Sequence, residues 1–170
     1  MVPRKYMVAC LLATLFGVGL HFLYSFFPNP VTALFSPVRE SVWEHVKLVY
    51  WSYLLVAFFL VRGEGPHVWR IHLTTLLFIS LFQTVCGYIY HIVLCKGAFS
   101  FDLSLYVLSM GVGFALSCFL RSRGDLQIGK LLPALAVALG MAILLFTFYP
   151  PGFRLFADLS AVHTWAVIPY

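Results

Sequence analysis

The chain has 170 residues, of which 62% are hydrophobic and 10% charged, against roughly 45–50% and 25% in ordinary soluble domains. That composition excludes an ordinary soluble domain and places the chain in the membrane class. A net charge of +5 would suggest nucleic acid in a soluble protein; here the basic residues are better read as setting orientation, and no nucleic-acid partner is expected.

A hydrocarbon core about 30 Å thick needs about 20 apolar residues in a helix, because every backbone polar group must be satisfied within the segment. In chain order, the first span is expected over residues 6–27. Arg4 and Lys5 ahead of it resemble the start of a signal peptide. The run is longer than such a peptide's apolar region, however, and ends in Tyr24-Ser25-Phe26-Phe27-Pro28 with no small-residue cleavage site, so it is read as an uncleaved span. After a loop over Pro28–Ser36 the second span is expected over 37–61. Its apolar part is slightly short, but Ser36 can cap a helix whose first residue is Pro37, where a missing N–H costs nothing. Spans over 71–94, 100–120 and 131–149 follow, then a tail over 150–170. The expected fold is an all-α integral membrane bundle of about five transmembrane helices in a single domain, with apolar runs far too long for β-barrel strands.

Aromatic residues such as Phe22, Tyr24, Trp43, Trp69 and Tyr149 crowd the ends of these spans as an interfacial belt. Ser109, Gly113 and Ser117, spaced four apart, allow close helix contact. With the N-terminus in the cytoplasm, seven basic residues (Arg4, Lys5, Arg62, Arg70, Arg121, Arg123 and Lys130) lie inside and four (Arg39, Lys47, Lys96 and Arg154) outside. This favours a cytoplasmic N-terminus and an outer C-terminus. The four cysteines read as buried thiols, since the Cys86 and Cys95 positions on one helix are poorly placed to bridge.

In that topology the outer half holds His21, Glu40, Glu44, His45, His91, Asp102, Asp158 and His163, while the inner half keeps Glu64, His67, His72 and Asp125. The densest stretch is Arg39-Glu40-Ser41-Val42-Trp43-Glu44-His45-Val46-Lys47. On one continuous helix Glu40 and Glu44 share a face, Ser41 and His45 share the next, and Lys47 reaches Glu44. Carboxylates and imidazoles so placed can hold zinc or pass a proton, and ionisable groups at membrane depth are costly enough to be functional by default. The competing reading is an acid-rich first turn at a wet interface, which suits Glu40 better than Glu44 and His45. His21 lies about two turns below the outer end of its span, and Asp102 opens the fourth. His21, Glu44, His45 and Asp102 are therefore the candidate ligands of a divalent metal such as zinc, expected to converge in one outer pocket. Glu44 and His45 are expected to face the interior, with Glu40 nearer water. Leu34-Phe35 and Leu155-Phe156, each shortly after a proline exit, are expected to fold back over that mouth.

Val38-Arg-Glu-Ser-Val-Trp-Glu-His-Val-Lys47 resembles the V-N-E-S-V-W-E-H-L-K signature of a family of small, uncharacterised bacterial membrane proteins. Phe146-Thr-Phe-Tyr-Pro-Pro-Gly-Phe-Arg-Leu-Phe-Ala-Asp158 resembles that family's closing F-T-F-Y-P-P-x-x-P-L-F-x-D segment. The resemblance marks Glu40, Ser41, Trp43, Glu44, His45, Lys47, Tyr149 and Pro150, and implies a bacterial cell membrane. Arg39 and Arg154 depart from the pattern, and the chain after Asp158 leaves it, so His163 inherits nothing. A fainter likeness runs to the progestin and adiponectin receptors and alkaline ceramidases, through Glu40, Trp43 and His45; this chain has fewer spans and no His-x-x-x-His.

Three functions fit these residues: a metal-assisted hydrolase or transferase on a lipid-like or small-molecule substrate, a proton- or cation-linked transporter, and a non-catalytic assembly partner. Membrane lipid is the expected surrounding. Against transport, the inner half shows no matching ionisable set. The sequence leaves the oligomeric state open.

Overall fold

The computed structural model describes residues 3–123 and 128–159. Among them are six α-helices and no strand: α1 Arg4–Phe26, α2 Pro30–Phe35, α3 Val42–Leu60, α4 Pro66–Tyr88, α5 Phe99–Ser122 and α6 Leu131–Phe148. The all-α bundle is as expected. Four helices are long and apolar enough to cross a membrane: α1, α4 with the turn that extends it to Val93, α5 and α6. The fifth expected span, α3, is not of that kind. It is the inner helix of the bundle, packed against α1, α4, α5 and α6, with Glu44, Lys47 and Ser52 buried along it. A helix can carry such groups at membrane depth only where protein satisfies them.

The start of α3 departs from the sequence reading. Ser41, not Ser36, caps it, accepting the Glu44 N–H at 3.1 Å, and residues 37–41 stay outside the helix. Three competing hydrogen bonds explain this. The Glu44 carboxylate accepts the Val38 N–H at 2.9 Å, which holds the segment before the helix open. The Ser36 hydroxyl is used on α1, donating to the Leu20 carbonyl at 2.6 Å and accepting the Tyr24 N–H at 3.0 Å. Glu40 and Glu44 thus do not share a helix face. The expected loop over Pro28–Ser36 contains α2, whose N-terminus is closed by Asn29 and Thr32 in a reciprocal cap with Pro30 in the first turn. The spans expected over 6–27, 71–94, 100–120 and 131–149 are recovered with shifted ends, the largest shift being the start of α4 at Pro66, the residue after the Gly65 cap.

Lys47, fully buried, fastens α2 to α3. Its ammonium donates to Glu44 Oε2 at 2.6 Å, to the Ala33 carbonyl at 2.9 Å and to the Ser36 carbonyl at 3.5 Å. Trp51 adds an indole N–H to the Leu34 carbonyl at 3.1 Å and an edge contact with Phe35. The tail returns to the same end. Phe156 packs on Trp43 and Phe146, and the Leu159 N–H donates to the Glu40 carbonyl at 2.6 Å. Both segments thus fold back against the bundle, Phe35 on Trp51 and Phe156 on Trp43, and neither apolar pair lines the clefts at this end. Asp125 and His163 lie outside the described residues.

Candidate functional site

Bond by bond, the candidate site grows from the bend before α3. Because Glu40 precedes the cap, its carboxylate turns back between two imidazoles: Oε2 lies 3.3 Å from His45 Nε2 and Oε1 lies 3.9 Å from His21 Nε2. The two rings stack at 5.9 Å between centroids. His45 Nδ1 lies 2.9 Å from the Ser41 carbonyl, and a carbonyl only accepts, so Nδ1 carries a hydrogen and Nε2 is the atom free to exchange one. That nitrogen and the Glu40 carboxylate face each other at 3.3 Å, close enough to pass a proton between them. The hydrogen bond from His45 keeps the Glu40 carboxyl below its ordinary value, against burial that pushes it up. His21 Nδ1 is buried and has no hydrogen-bond partner among the described residues.

A second unit of the same design stands beside it. After α4 the chain continues through a π-helical turn, Ile89–Val93. Cys95 then takes a left-handed conformation with φ 50°, which brings the Lys96 carbonyl 2.9 Å from His91 Nδ1. The opposite nitrogen, Nε2, lies 2.7 Å from Asp102 Oδ1. Asp102 in turn lines one cleft together with His21 and His45. Two carbonyl–imidazole–carboxylate units therefore converge at one end of the bundle.

Two clefts meet at Glu40. One, of about 80 Å³, lies between α1, α3 and α5; its walls include Val18, Phe22, Leu48, Phe99 and Leu103, and its polar edge is His21, Glu40, His45 and Asp102. Its floor requires Gly17, since a Cβ there would overlap the Tyr106 ring and hydroxyl and stand 2.7 Å from Ser52 Oγ. The other, of about 290 Å³, is polar, running past Tyr24, Ser25, Arg39 and Asp158, and it shares His21, Phe22 and Glu40 with the first. By the same measure one water needs roughly 10–15 Å³, so the apolar cleft admits several waters or a small group, and the polar cleft a larger one.

Of the residues singled out from sequence, His21, His45 and Asp102 come together here. Glu44 does not: it is turned to Lys47 and Val38, and Glu40 occupies the place expected for it. Glu44 is nonetheless buried, and Glu40 is 48% exposed at its side chain. Ser41 is the cap, Lys47 the fastening, and Trp43 an aromatic contact under the tail. Pro150 lines a small recess with Glu44 and Phe156, while Tyr149 is exposed. No group of three or more His, Cys, Asp or Glu side chains disposed to hold a metal ion occurs among the described residues. Sequence reading missed His91, whose role depends on the π turn, and the cleft floor of Gly17 and Tyr106. It missed also a polar cluster at the opposite end: the buried Tyr53 hydroxyl lies 3.0 Å from His72 Nδ1, His72 stacks on Tyr6, and the part-exposed Arg121 pairs with Glu64 at 2.8 Å.

Neither a curated protein nor a solved structure matches the chain. A family model does, over residues 2–163, nearly the whole length. The protein accordingly belongs to the family of unknown function DUF6512.

Proposed function

We propose that this membrane protein binds an amphipathic small molecule at the Glu40 end of the bundle and exchanges a proton with its polar head. The observation that carries the reading is the junction: a polar cleft and an apolar cleft share His21, Phe22 and Glu40. A ligand with one polar and one apolar part would thus place its boundary against the residues that hold a mobile proton. An imidazole fixed at Nδ1 and paired at Nε2 supplies general acid–base chemistry to a head group within reach, which suits hydrolysis or group transfer on a lipid-like substrate. A nearby Asp102, itself held by His91, supplies a second carboxylate.

The test uses a tryptophan placed in the apolar cleft, Leu103→Trp, titrated with a brominated lysophospholipid. Saturable quenching that weakens about tenfold in Glu40→Gln and His45→Ala supports the reading; quenching that rises linearly, as in bulk partition, overturns it. Metal content measured on the same samples separates the two chemistries. One bound ion per chain, lost in His45→Ala, would replace direct proton exchange by metal-assisted catalysis.

Proton-linked transport is a second reading, favoured by the buried Tyr53–His72 contact and by the buried Ser52 and Thr75 hydroxyls, which extend polar groups into the bundle. Ile79 and Met110 are fully buried apolar residues of the same core. Proton flux into vesicles that Tyr53→Phe abolishes would favour transport over catalysis.

A further inference from the structure

A second groove lies at the other end of the bundle, on its outer surface between α1 and α3. It measures about 460 Å³, within the size range of small-molecule sites. Val8 and Leu12 of α1 form one wall and Val56 and Phe59 of α3 the other, over a floor set by the small side chain of Ala9. Val8, Leu12 and Phe59 are strongly exposed, so the groove opens sideways, where a bilayer surrounds the bundle. Arg4 and Lys5, in the first turn of α1, close one end of it. Both are exposed, and neither forms an ion pair among the described residues; Lys5 Nζ stands 5.8 Å over the Tyr6 ring.

We infer that this groove is a binding site for an anionic phospholipid, with an acyl chain along the apolar walls and the phosphate at Arg4 and Lys5. The charge decides the occupant. A zwitterionic lipid would fill the walls equally well but gain little from two cations, whereas an anionic headgroup gains about fivefold in affinity per basic residue near the surface. The site is separate from the Glu40 clefts and does not depend on what binds there.

The experiment is native mass spectrometry of the full chain released from detergent containing equal palmitoyl-oleoyl phosphatidylglycerol and phosphatidylcholine. Preferential retention of phosphatidylglycerol is expected, falling about fivefold in each of Arg4→Gln and Lys5→Gln. Val56→Trp, which fills the groove, should reduce retention of both lipids. Lys96→Gln and Arg154→Gln, at the other end, should leave the preference intact. Equal retention of the two lipids would overturn the inference, as would an equal loss in the Lys96 and Arg154 variants, which would make net charge the cause. Displacement of phosphatidylglycerol by the same concentration of inorganic phosphate would also overturn it, by reducing the site to a bare anion contact.

Discussion

Two pairs of a carboxylate with a basic side chain lie within one short stretch, Glu44 with Lys47 and Glu40 with His45, and they differ in how fully their hydrogen-bonding capacity is used. The Lys47 ammonium has three hydrogens and three acceptors, at 2.6, 2.9 and 3.5 Å, and Glu44 Oε2 accepts the Val38 N–H as well. The ammonium has no hydrogen left to offer a ligand, so the pair serves as a fastening between α2, the bend and α3. Glu40, by contrast, is half exposed, is shared between two imidazoles, and sits where two clefts meet. Like residue types four positions apart thus take opposite roles, and the saturation of their partners is what separates them.

The largest expected effect tests the fastening. Lys47→Met leaves Glu44 buried without its cation and should destabilise the protein by about 3–5 kcal/mol, read as a fall in the thermal unfolding midpoint in detergent. Adding Glu44→Gln should recover part of the loss. A loss below about 1 kcal/mol, in the range of an exposed pair, would erase the contrast.

A middling effect is expected at the cleft floor. Gly17→Ala forces Tyr106 aside and should cost about 1–3 kcal/mol, as overpacking does, together with amphiphile binding. Gly19→Ala is the control, since a Cβ there meets nothing within 4 Å; if both variants behave alike, Gly17 does not shape the cleft.

The smallest effect sharpens the other side of the comparison. Glu40→Gln should change stability at pH 7 by only about 0–1 kcal/mol, because the pair is wet. Its pH dependence has a definite sign. The folded Glu40 value is depressed by His45, so on the acid limb the contribution is present above the ordinary value of 4.5 and is lost as pH falls through the lower folded value. The difference in unfolding midpoint between wild type and Glu40→Gln should therefore vanish on acidification. A difference that grew below pH 4.5 would contradict the assignment of a charged, bonded Glu40.

How much of this was legible in the sequence varies residue by residue. His21, His45 and Asp102 were placed together by depth alone, since each lies near the same end of its helix. Glu44 was misplaced for a local reason that the sequence did contain: Ser41-Val-Trp-Glu44 has the spacing of a helix start signal, which moves the cap from Ser36 to Ser41 and takes Glu40 off the helix. No such signal marks His91. Its bond to Asp102 depends on a π turn and a left-handed Cys95, and both arise from how the end of α4 meets the start of α5. The Tyr53–His72 contact was equally hidden, because rotation about a helix axis decides which buried residues meet.

Composition and run length by themselves determined that this is a helical membrane bundle, because a backbone in hydrocarbon has to bond within its own segment. They indicated also that its acidic and histidine side chains, though not its basic ones, concentrate toward one end, since depth along a helix follows from position in the chain. Only the tertiary structure decided which carboxylate faces the imidazoles. Glu40 and Glu44 are the same residue type within one short stretch, and what parts them is a neighbour: the buried Lys47 ammonium takes Glu44, and Glu40 is left for His45 and His21.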